Sequence, residues 1–336
     1  MKRLKALAAT AASVPITLFG LVLVTFLIGR VMPIDPVLAI VGDRAPADVV
    51  AAVRLELGLD EPLYVQFWIY LGKLASGDLG RSVMTSHTVW EDIKRFFPAT
   101  MELATVAILF AAFIGVPLGV LAAVKQGTKV DHTIRVVCLA GHSLPIFVLA
   151  LLSLLVFYAT LHWAPGPGRQ DILFDEQVPA VTNFLTVDAL LARDWEVLRD
   201  AVAHLIQPAA VLAYFAMAFI ARMTRAFMLD ALAGEYVITA RAKGLSAARV
   251  IWKHAFGNIA VRLITIMALT YAGLLEGAVV TETVFSWPGL GQYLTVSLLN
   301  ADMNAVLGAT LVVGVTYLAF NMLADVLYKL LDPRVS

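Results

Sequence analysis

Six long apolar runs constrain the fold of this chain more than any other feature of its sequence. They cover about residues 10–30, 99–124, 136–160, 205–222, 263–281 and 305–328. A bilayer core about 30 Å thick needs roughly 20 apolar residues in a helix, and each run approaches or exceeds this length. Only 15% of the residues are charged and 60% are hydrophobic, so a soluble protein of this composition could not cover its surface. The sequence therefore predicts an all-α integral membrane protein with six transmembrane helices.

Basic residues are distributed unevenly between the two sides of the predicted membrane. The side with both termini and the loops 125–135 and 222–262 carries 15 Lys and Arg residues against four acids. The opposite side, formed by residues 30–98, 161–204 and 282–304, carries 10 basic and 18 acidic residues. The positive-inside rule then places both termini in the cytoplasm. The first run is longer than a signal-peptide core and no clear cleavage site follows it, so we expect a retained anchor helix.

This topology divides the chain into an anchor helix, an external subdomain, a transmembrane core and a short tail. The predicted boundaries are 1–30, 31–98, 99–328 and 329–336. In the external subdomain, "APADVVAAVRLELGLD" and "EPLYVQFWIYLGKLASG" are typical of two helices, and "GDLGRS" (77–82) is typical of a turn. In loop 161–204, an apolar stripe predicts one helix lying on the membrane surface. Its residues are Leu190, Leu191, Trp195, Leu198 and Val202.

Motifs of nucleotide and covalent chemistry are not found in the sequence. It has no G-x-x-x-x-G-K-[ST] phosphate loop, no H-E-x-x-H zinc motif and no G-x-S-x-G nucleophile elbow. No histidine lies three or four residues from another, and no basic tail points to nucleic acid. The single cysteine, Cys138, excludes an intrachain disulfide. We therefore expect no catalytic residue, no metal site, no cofactor and no nucleic-acid partner.

Three carboxylates lie within the apolar runs: Glu102, Glu276 and Asp325. Such residues often mark the path of an ion or substrate, although a carboxylate that reaches the interface or pairs between helices needs no such role. Glu276 and Glu102 are candidate residues of a translocation path, with Glu276 the stronger of the two. An ion-coupled secondary transporter would use these acids. A membrane enzyme acting on lipid would need a catalytic constellation that the sequence lacks.

The segment "EYVITARAKGLS" (235–246) separates two apolar runs and is too regular for a random loop. On a helix, one face collects four of its residues: Glu235, Ile238, Thr239 and Ala242. Gly244 ends this helix, since glycine enters the left-handed conformation without steric cost. Ser246 can then cap a second helix. By pattern alone, a linker lying under the membrane remains an alternative to a contact surface for a partner.

The longer stretch "EYVITARAKGLSAARVIWKHAFGN" resembles the cytoplasmic EAA loop of ABC-importer permeases, in the variant typical of the dipeptide/oligopeptide/nickel branch. Four further segments resemble that branch, in the same order along the chain: "LGLDEPLYVQFWIYLGKLASGDLGRS", "PATMELA", "ETVFSWPGLGQYL" and "LLDPRV". The resemblance runs nearly from end to end. One departure is Arg262, where family members often have proline, and it concerns the bend where the fifth transmembrane helix begins.

This resemblance implies a type I ABC importer permease fold in a bacterial cytoplasmic (inner) membrane. The implied partners are membrane lipid, a homologous second permease subunit, two cytoplasmic ABC ATPases that bind ATP and Mg²⁺, and a periplasmic solute-binding protein. ATPase coupling would fall on Glu235, Tyr236, Thr239, Ala240, Arg241, Ala242, Lys243, Gly244 and Leu245. Nucleotide chemistry in partner chains would explain the missing phosphate loop. Substrates of the branch include dipeptides, longer peptides, nickel chelates, glutathione and opines.

Overall fold

The computed structural model describes residues 2–31, 37, 41–42, 45–56 and 58–331. All regular elements in this part of the chain are helical, which confirms the predicted all-α fold. The α-helices are α1 (Lys2–Val31), α2 (Ala47–Glu56), α3 (Leu63–Ala75), α4 (Val89–Val124), α5 (Lys129–Ser143), α6 (Ile146–Thr160), α7 (Leu185–Ala192), α8 (Trp195–Leu232), α9 (Glu235–Ala242), α10 (Ala247–Val284), α11 (Leu290–Leu299) and α12 (Met303–Leu331). π-Helical stretches end α6, at Leu154–Thr160, and interrupt α10, at Val250–Phe256.

Four helices have the length and apolar composition to cross a membrane: α4, α8, α10 and the Met303–Ala324 part of α12. The pair α5 and α6 is a fifth candidate, and its axis bends by 96° at a short break. The apolar part of α1, Pro15–Arg30, is shorter than these spans. Four of the six predicted spans are therefore met by long helices, while the spans at 10–30 and 136–160 stay predictions.

The third apolar run is not one continuous helix. α5 ends at Ser143, and Leu144 has φ −84° and ψ 130°, an extended conformation. The cause is Pro145, because a proline ring clashes with a helical conformation of the residue before it. Pro145 itself precedes the first residue of α6, where the missing N–H breaks no intrahelical hydrogen bond. The run therefore forms two helices joined at a Leu-Pro step.

The surface helix predicted for loop 161–204 is also divided in two. After α7, Arg193 adopts a left-handed conformation with φ 56° and ψ 30°. Asp194 then accepts hydrogen bonds from the backbone N–H groups of Glu196 and Val197, and so caps α8. From this cap α8 continues through the fourth apolar run. The second half of the predicted surface helix is therefore the beginning of a candidate membrane span.

Two compact units share the chain, residues 1–99 with 288–318 and residues 100–287 with 319–336. In the first unit, α3 packs on α1 through aromatic rings. The Phe67 ring centroid lies 5.2 Å from that of Phe26 and 5.7 Å from that of Phe19. Phe67 is buried, so its ring holds α3 against α1.

Buried polar groups fix the predicted turn at 77–82 inside the first unit. Gly77 and Gly80 have φ of +77° and +83°, which confirms the turn. Ser82, however, is buried, and its Oγ donates to Asp302 Oδ2 at 2.5 Å. Nearby, the Tyr293 hydroxyl donates to Asp92 Oδ2 at 2.9 Å. Burial raises the pKa of Tyr293, and the hydrogen bond to Asp92 raises it further, so the phenol remains a donor.

In the second unit, α8 packs against α5, α6, α7 and α10. Gly115 and Gly119 of α4 lie against the backbone of α8. A Cβ at Gly119 would be 2.5 Å from the Ala221 carbonyl oxygen, and one at Gly115 would be 3.1 Å from that of Met217. A side chain at either glycine would separate the helices, as expected for a small-xxx-small contact. α10 continues as a helix through Arg262, the residue that departs from the family pattern.

Candidate functional site

Residues 235–245, the coupling segment, form a short helix with a specific end. α9 closes in a Schellman motif, in which Gly244 N–H donates to the Arg241 carbonyl at 2.9 Å and Leu245 N–H donates to the Ala240 carbonyl at 3.3 Å. Gly244 has φ +76°, which confirms the predicted left-handed conformation. A Cβ on Gly244 would meet no atom within 4 Å. Glycine is therefore required here for its backbone conformation and not for space.

α9 has one face inside the protein and the opposite face in solvent. Val237 is fully buried and Ala240 is 5% exposed, in a cluster with Met228 of α8 and Val250 of α10. The other face is exposed and carries the residues predicted to share it: Glu235, Ile238, Thr239 and Ala242. The buried face thus fixes the helix to the second unit. Ala240 belongs to this buried face and not to the exposed one.

The remaining residues of the coupling segment border the exposed face. Tyr236, Arg241 and Lys243 are exposed, and Leu245 is half-buried against the cluster that contains Val237. Ser246 precedes α10 in an extended conformation, as predicted for a cap, but its side chain makes no capping hydrogen bond.

An ion pair joins α5 to α8 on the side where α8 leads into the coupling segment. Arg225 binds Asp131 through Nε to Oδ1 at 2.7 Å and Nη2 to Oδ2 at 2.8 Å. The Gly127 N–H also donates to Asp131 at 3.0 Å. Both carboxylate oxygens are engaged and Asp131 is buried, so the contact has the bidentate geometry of strong Arg–carboxylate pairs. The pair restrains the end of α8 from which α9 follows.

Glu102, a predicted path residue, is enclosed by partners from the external loop. Arg169 Nη2 donates to its Oε2 at 2.6 Å, and both the N–H and the hydroxyl of Thr186 donate to its Oε1. Arg169 also donates to the Asn183 carbonyl at 2.8 Å and lies over the ring of Trp287. Glu102 is 4% exposed. In this conformation its carboxylate holds loop 161–204 against α4.

Another buried carboxylate, Glu282, was missed from the sequence because it was assigned to the loop that follows α10. It is fully buried and accepts a hydrogen bond from Thr100 Oγ1 at 2.6 Å. A signal for its burial was present. Leu275 and Ala278 are buried on α10, and Glu282 continues their stripe at helical spacing.

Glu276 lies apart from this stripe and is exposed on α10. The third predicted acid, Asp325, lies in α12, but its side chain is outside the described residues. The structure therefore does not bring Glu276 and Glu102 together: one is exposed and the other is bound within its own chain. Over the described ranges, no three His, Cys, Asp or Glu side chains are grouped to hold a metal ion.

Long apolar helices and a solvent-facing short helix between two candidate spans define the class of a polytopic helical membrane protein. The chain matches the family described as "Binding-protein-dependent transport system inner membrane component" over residues 115–336, and the related N-terminal family over residues 3–104. It belongs to this family of inner-membrane ABC importer permeases.

Named relatives and one solved structure agree with this assignment. The chain is 44% identical to the di/tripeptide transport system permease protein DppB of Pseudomonas aeruginosa, with 95% of each chain covered. It is 42% identical to the probable D,D-dipeptide transport system permease protein DdpB of Escherichia coli, with 94% of this chain and 93% of the relative covered. It is also 40% identical to the dipeptide transport system permease protein DppB of Escherichia coli, with 95% of each covered.

The inward-facing MetNI methionine ABC transporter has a chain that aligns with a TM-score of 0.51 and 17% identity, covering 70% of this chain and 93% of that one. This likeness concerns the fold alone and confirms the predicted type I importer permease fold. The protein is a permease subunit of an ABC importer, which is not itself the catalytic subunit. The alternative of an ion-coupled secondary transporter has no support from these matches.

Proposed function

We propose that this chain pairs with a homologous second permease and moves dipeptides or similar short peptides into the cell. A periplasmic solute-binding protein delivers the peptide, and two cytosolic ABC ATPases that bind ATP and Mg²⁺ supply the energy. Three relatives with dipeptide or di/tripeptide names, at 40–44% identity over most of the chain, support this substrate class. In this proposal ATP and Mg²⁺ are bound by the ATPases and not by this chain.

The two-faced geometry of α9 is the observation that carries this proposal. Transmission of force between subunits needs a rigid element with one end fixed and one surface free. Val237 and Ala240 fix α9 in the buried cluster, while Glu235, Ile238 and Thr239 are free to contact an ATPase. ATP-driven closure of the ATPases then favours one conformation of the permease, because the contact is stronger in that conformation.

Glu276 is our candidate for the translocation path. A carboxylate facing hydrocarbon is costly, and an acid within a membrane span generally faces the protein interior or a water-filled cavity. Glu276 is exposed in the isolated chain although it lies within the apolar run 263–281. A water-filled path between the two permeases would keep Glu276 out of the hydrocarbon. The Glu276 carboxylate could then bind the ammonium group of a peptide. Glu102 is assigned instead to holding the external loop.

Charge inversion on α9 tests the coupling role. Glu235→Lys places a cation at the first turn of α9, where an acid is favoured, and inverts a charge on the exposed face. We expect loss of peptide uptake in vesicles and weakened co-purification or coupling of the ATPases. Asp230→Lys is the matched control, since Asp230 is an exposed acid in the last turn of α8, outside the coupling segment. Normal uptake by Glu235→Lys would contradict the coupling role and favour the alternative that the segment is a linker.

Cysteine labelling tests the orientation on which this function depends. In a Cys138→Ala background, Ala247→Cys lies at an exposed position beside the coupling segment, and Ser76→Cys lies at an exposed position in the external subdomain. Ser82 is unsuitable because it is buried. A membrane-impermeant reagent should label residue 76 only from outside and residue 247 only from inside. Labelling of residue 247 from outside would overturn the orientation.

A further inference from the structure

A cavity of about 390 Å³ lies between α5 and α8, beside the ion pair that restrains the end of α8. It is outside the coupling segment and is not lined by Glu102, Glu276 or Glu282. Three arginines line it: Arg135 of α5, Arg222 of α8, and Arg225, which is already bound to Asp131. The apolar side chains of Val136, Leu139 and Phe219 form part of its wall. The cavity thus combines cations and hydrocarbon contributed by two different helices.

Arg135 and Arg222 give the cavity a positive charge that no salt bridge among the described residues neutralises. Arg135 and Arg222 are exposed, and among the described residues neither lies within salt-bridge distance of a carboxylate. The adjacent Asp131 is already bound by Arg225 on both oxygens. Arg222 lies 5.5 Å from the centroid of the Phe219 ring, which places its guanidinium beside the apolar wall.

The charged and apolar parts of the cavity lie at different positions relative to the apolar runs of the sequence. Arg135 immediately precedes the apolar run 136–160, and Arg222 is the last residue of the run 205–222. Phe219 is one helical turn further into the run 205–222 than Arg222, and Leu139 is one turn further into the run 136–160 than Arg135. Val136 and Leu139 are 52% and 66% exposed. In the predicted topology, we therefore expect the guanidinium groups at the membrane surface and the apolar wall beside acyl chains.

We propose that this cavity binds one anionic phospholipid of the leaflet that faces the coupling segment. Its phosphate lies between Arg135 and Arg222, because guanidinium groups match the geometry of phosphate oxygens. Its acyl chains lie along Val136, Leu139 and Phe219. Basic pockets between transmembrane helices on the cytoplasmic side commonly accept anionic headgroups. A zwitterionic lipid provides the same acyl chains but no net charge to balance two arginines, so the site prefers an anionic headgroup.

Such a lipid joins α5 to α8 at the level where Arg225 binds Asp131. It reinforces the ion pair that restrains the end of α8, from which the coupling segment follows. We therefore expect peptide transport to depend on anionic lipid even when every protein subunit is present.

Cys138 provides a reporter inside the cavity, since it lines the cavity and is the single cysteine of the chain. The experiment uses the assembled transporter, with cysteine-free partner subunits, in nanodiscs of phosphatidylcholine alone or with phosphatidylglycerol. The rate of Cys138 alkylation by a small neutral maleimide is measured. Phosphatidylglycerol should slow the reaction in a saturable manner, because the bound lipid covers the thiol.

The double variant Arg135→Gln with Arg222→Gln should lose this protection. Each cation near an anionic lipid surface contributes about five-fold in affinity, so half-protection should need about 30-fold more phosphatidylglycerol. Arg262→Gln is the matched control, because Arg262 is an exposed cation beside the run 263–281 that does not line the cavity. It should behave as the wild type. Ala247→Cys in a Cys138→Ala background controls for a general effect of bilayer charge on thiol reactivity.

Three results would overturn the proposal. Equal protection by both lipids in the wild-type protein would show that charge is not recognised, and this comparison does not depend on any variant folding. Protection by soluble glycerol 3-phosphate would indicate a site for free phosphate. An unreactive Cys138 in phosphatidylcholine, in the wild type and the double variant alike, would indicate that the second permease covers the cavity.

Discussion

The coupling segment and the external loop 161–204 are fixed to the same unit by opposite chemistry. α9 is anchored by apolar side chains, Val237 and Ala240, and it leaves a mainly polar face in solvent. The external loop is anchored by carboxylates. Glu102 binds Arg169 and Thr186, and Asp188 accepts hydrogen bonds from the backbone N–H groups of residues 181–183. This loop leaves apolar side chains outside.

The two anchors respond differently to a missing partner. Apolar contacts add in small increments, so loss of one methyl group weakens the coupling segment without unfolding it. A buried carboxylate network is stable only when each charge is compensated, because an unpaired charge in a low-dielectric interior is costly. The external loop should therefore be fixed rigidly or not at all. The coupling segment should tolerate graded change, which agrees with its proposed contact with an ATPase.

The largest effect should follow from breaking the Glu102 anchor. Glu102→Ala leaves Arg169, whose side chain is only 15% exposed, without its carboxylate. Breaking a fully buried pair in this way costs about 3–5 kcal/mol, and the partial exposure of Arg169 places this pair at or below the lower end of that range. We expect a large fall in the thermal stability of the purified transporter and protease sensitivity in loop 161–204. Replacing both partners, Glu102→Leu with Arg169→Met, should restore most of the stability, because no uncompensated charge remains.

Glu276→Ala is the matched control for this prediction, since Glu276 is an acid within a span but is exposed in the chain. It should impair transport more than stability. Equal stability of the Glu102→Ala and Glu276→Ala proteins would contradict the view that a carboxylate anchors the external loop.

The apolar anchor of α9 should give a smaller effect that separates its two faces. Val237→Ala removes two buried methyl groups at about 0.8 kcal/mol each, or roughly 2 kcal/mol with the cost of the cavity. Ile238→Ser changes the neighbouring residue, which is 63% exposed, and should alter stability by less than about 0.5 kcal/mol. ATPase co-purification should fall for Ile238→Ser while its thermal stability is retained. The reverse pattern, a stability loss only for Ile238→Ser, would mean that Ile238 lies on the buried face of α9 and Val237 on the exposed face.

The difference between these regions also explains what could be predicted from sequence. The face of α9 and the left-handed Gly244 depend on residues within two helical turns, so local periodicity and cap chemistry were sufficient. The burial of Glu282 had a local signal in the stripe of α10, but its partner Thr100, 182 residues away, had none. Ser82 could not be placed, because its partner Asp302 is 220 residues away along the chain. Burial of a polar side chain depends on such distant partners, and a single sequence does not reveal them.

The break in the third apolar run had a local signal, the Leu144–Pro145 step, which was outweighed because membrane helices often tolerate proline. The break at Arg193 had a weaker sequence signal. Arg193 adopts a left-handed conformation there, which is uncommon for a residue other than glycine. Length and hydropathy therefore located four of the six predicted spans, but not the positions where the chain leaves a helix.

Gly244 tests whether the shape of the coupling segment, apart from its anchor, is needed. Gly244→Val places a β-branched residue at φ +76°, at a local cost of about 1–2 kcal/mol. Gly244→Asn is the matched control, because asparagine tolerates this conformation better. We expect Gly244→Val to insert into the membrane but to lose ATPase co-purification and uptake, and Gly244→Asn to retain both. Loss in both variants would mean that the ATPase contact excludes any side chain, and normal uptake by Gly244→Val would remove the shape requirement.

The smallest change in stability should come from the outward side of the external loop. Ile172 and Leu173 are 90% and 85% exposed, in a short turn where Asp171 accepts a hydrogen bond from the Leu173 N–H. Ile172→Ser with Leu173→Ser should change stability by less than about 0.5 kcal/mol, because the carboxylate anchors are untouched. If these side chains meet the solute-binding protein, stimulation of ATP hydrolysis by the loaded binding protein should fall while basal hydrolysis persists. Val181→Ser, at an exposed apolar residue of the same loop, controls for loss of apolar surface in general. Unchanged stimulation would instead assign the two side chains to lipid or to the second permease.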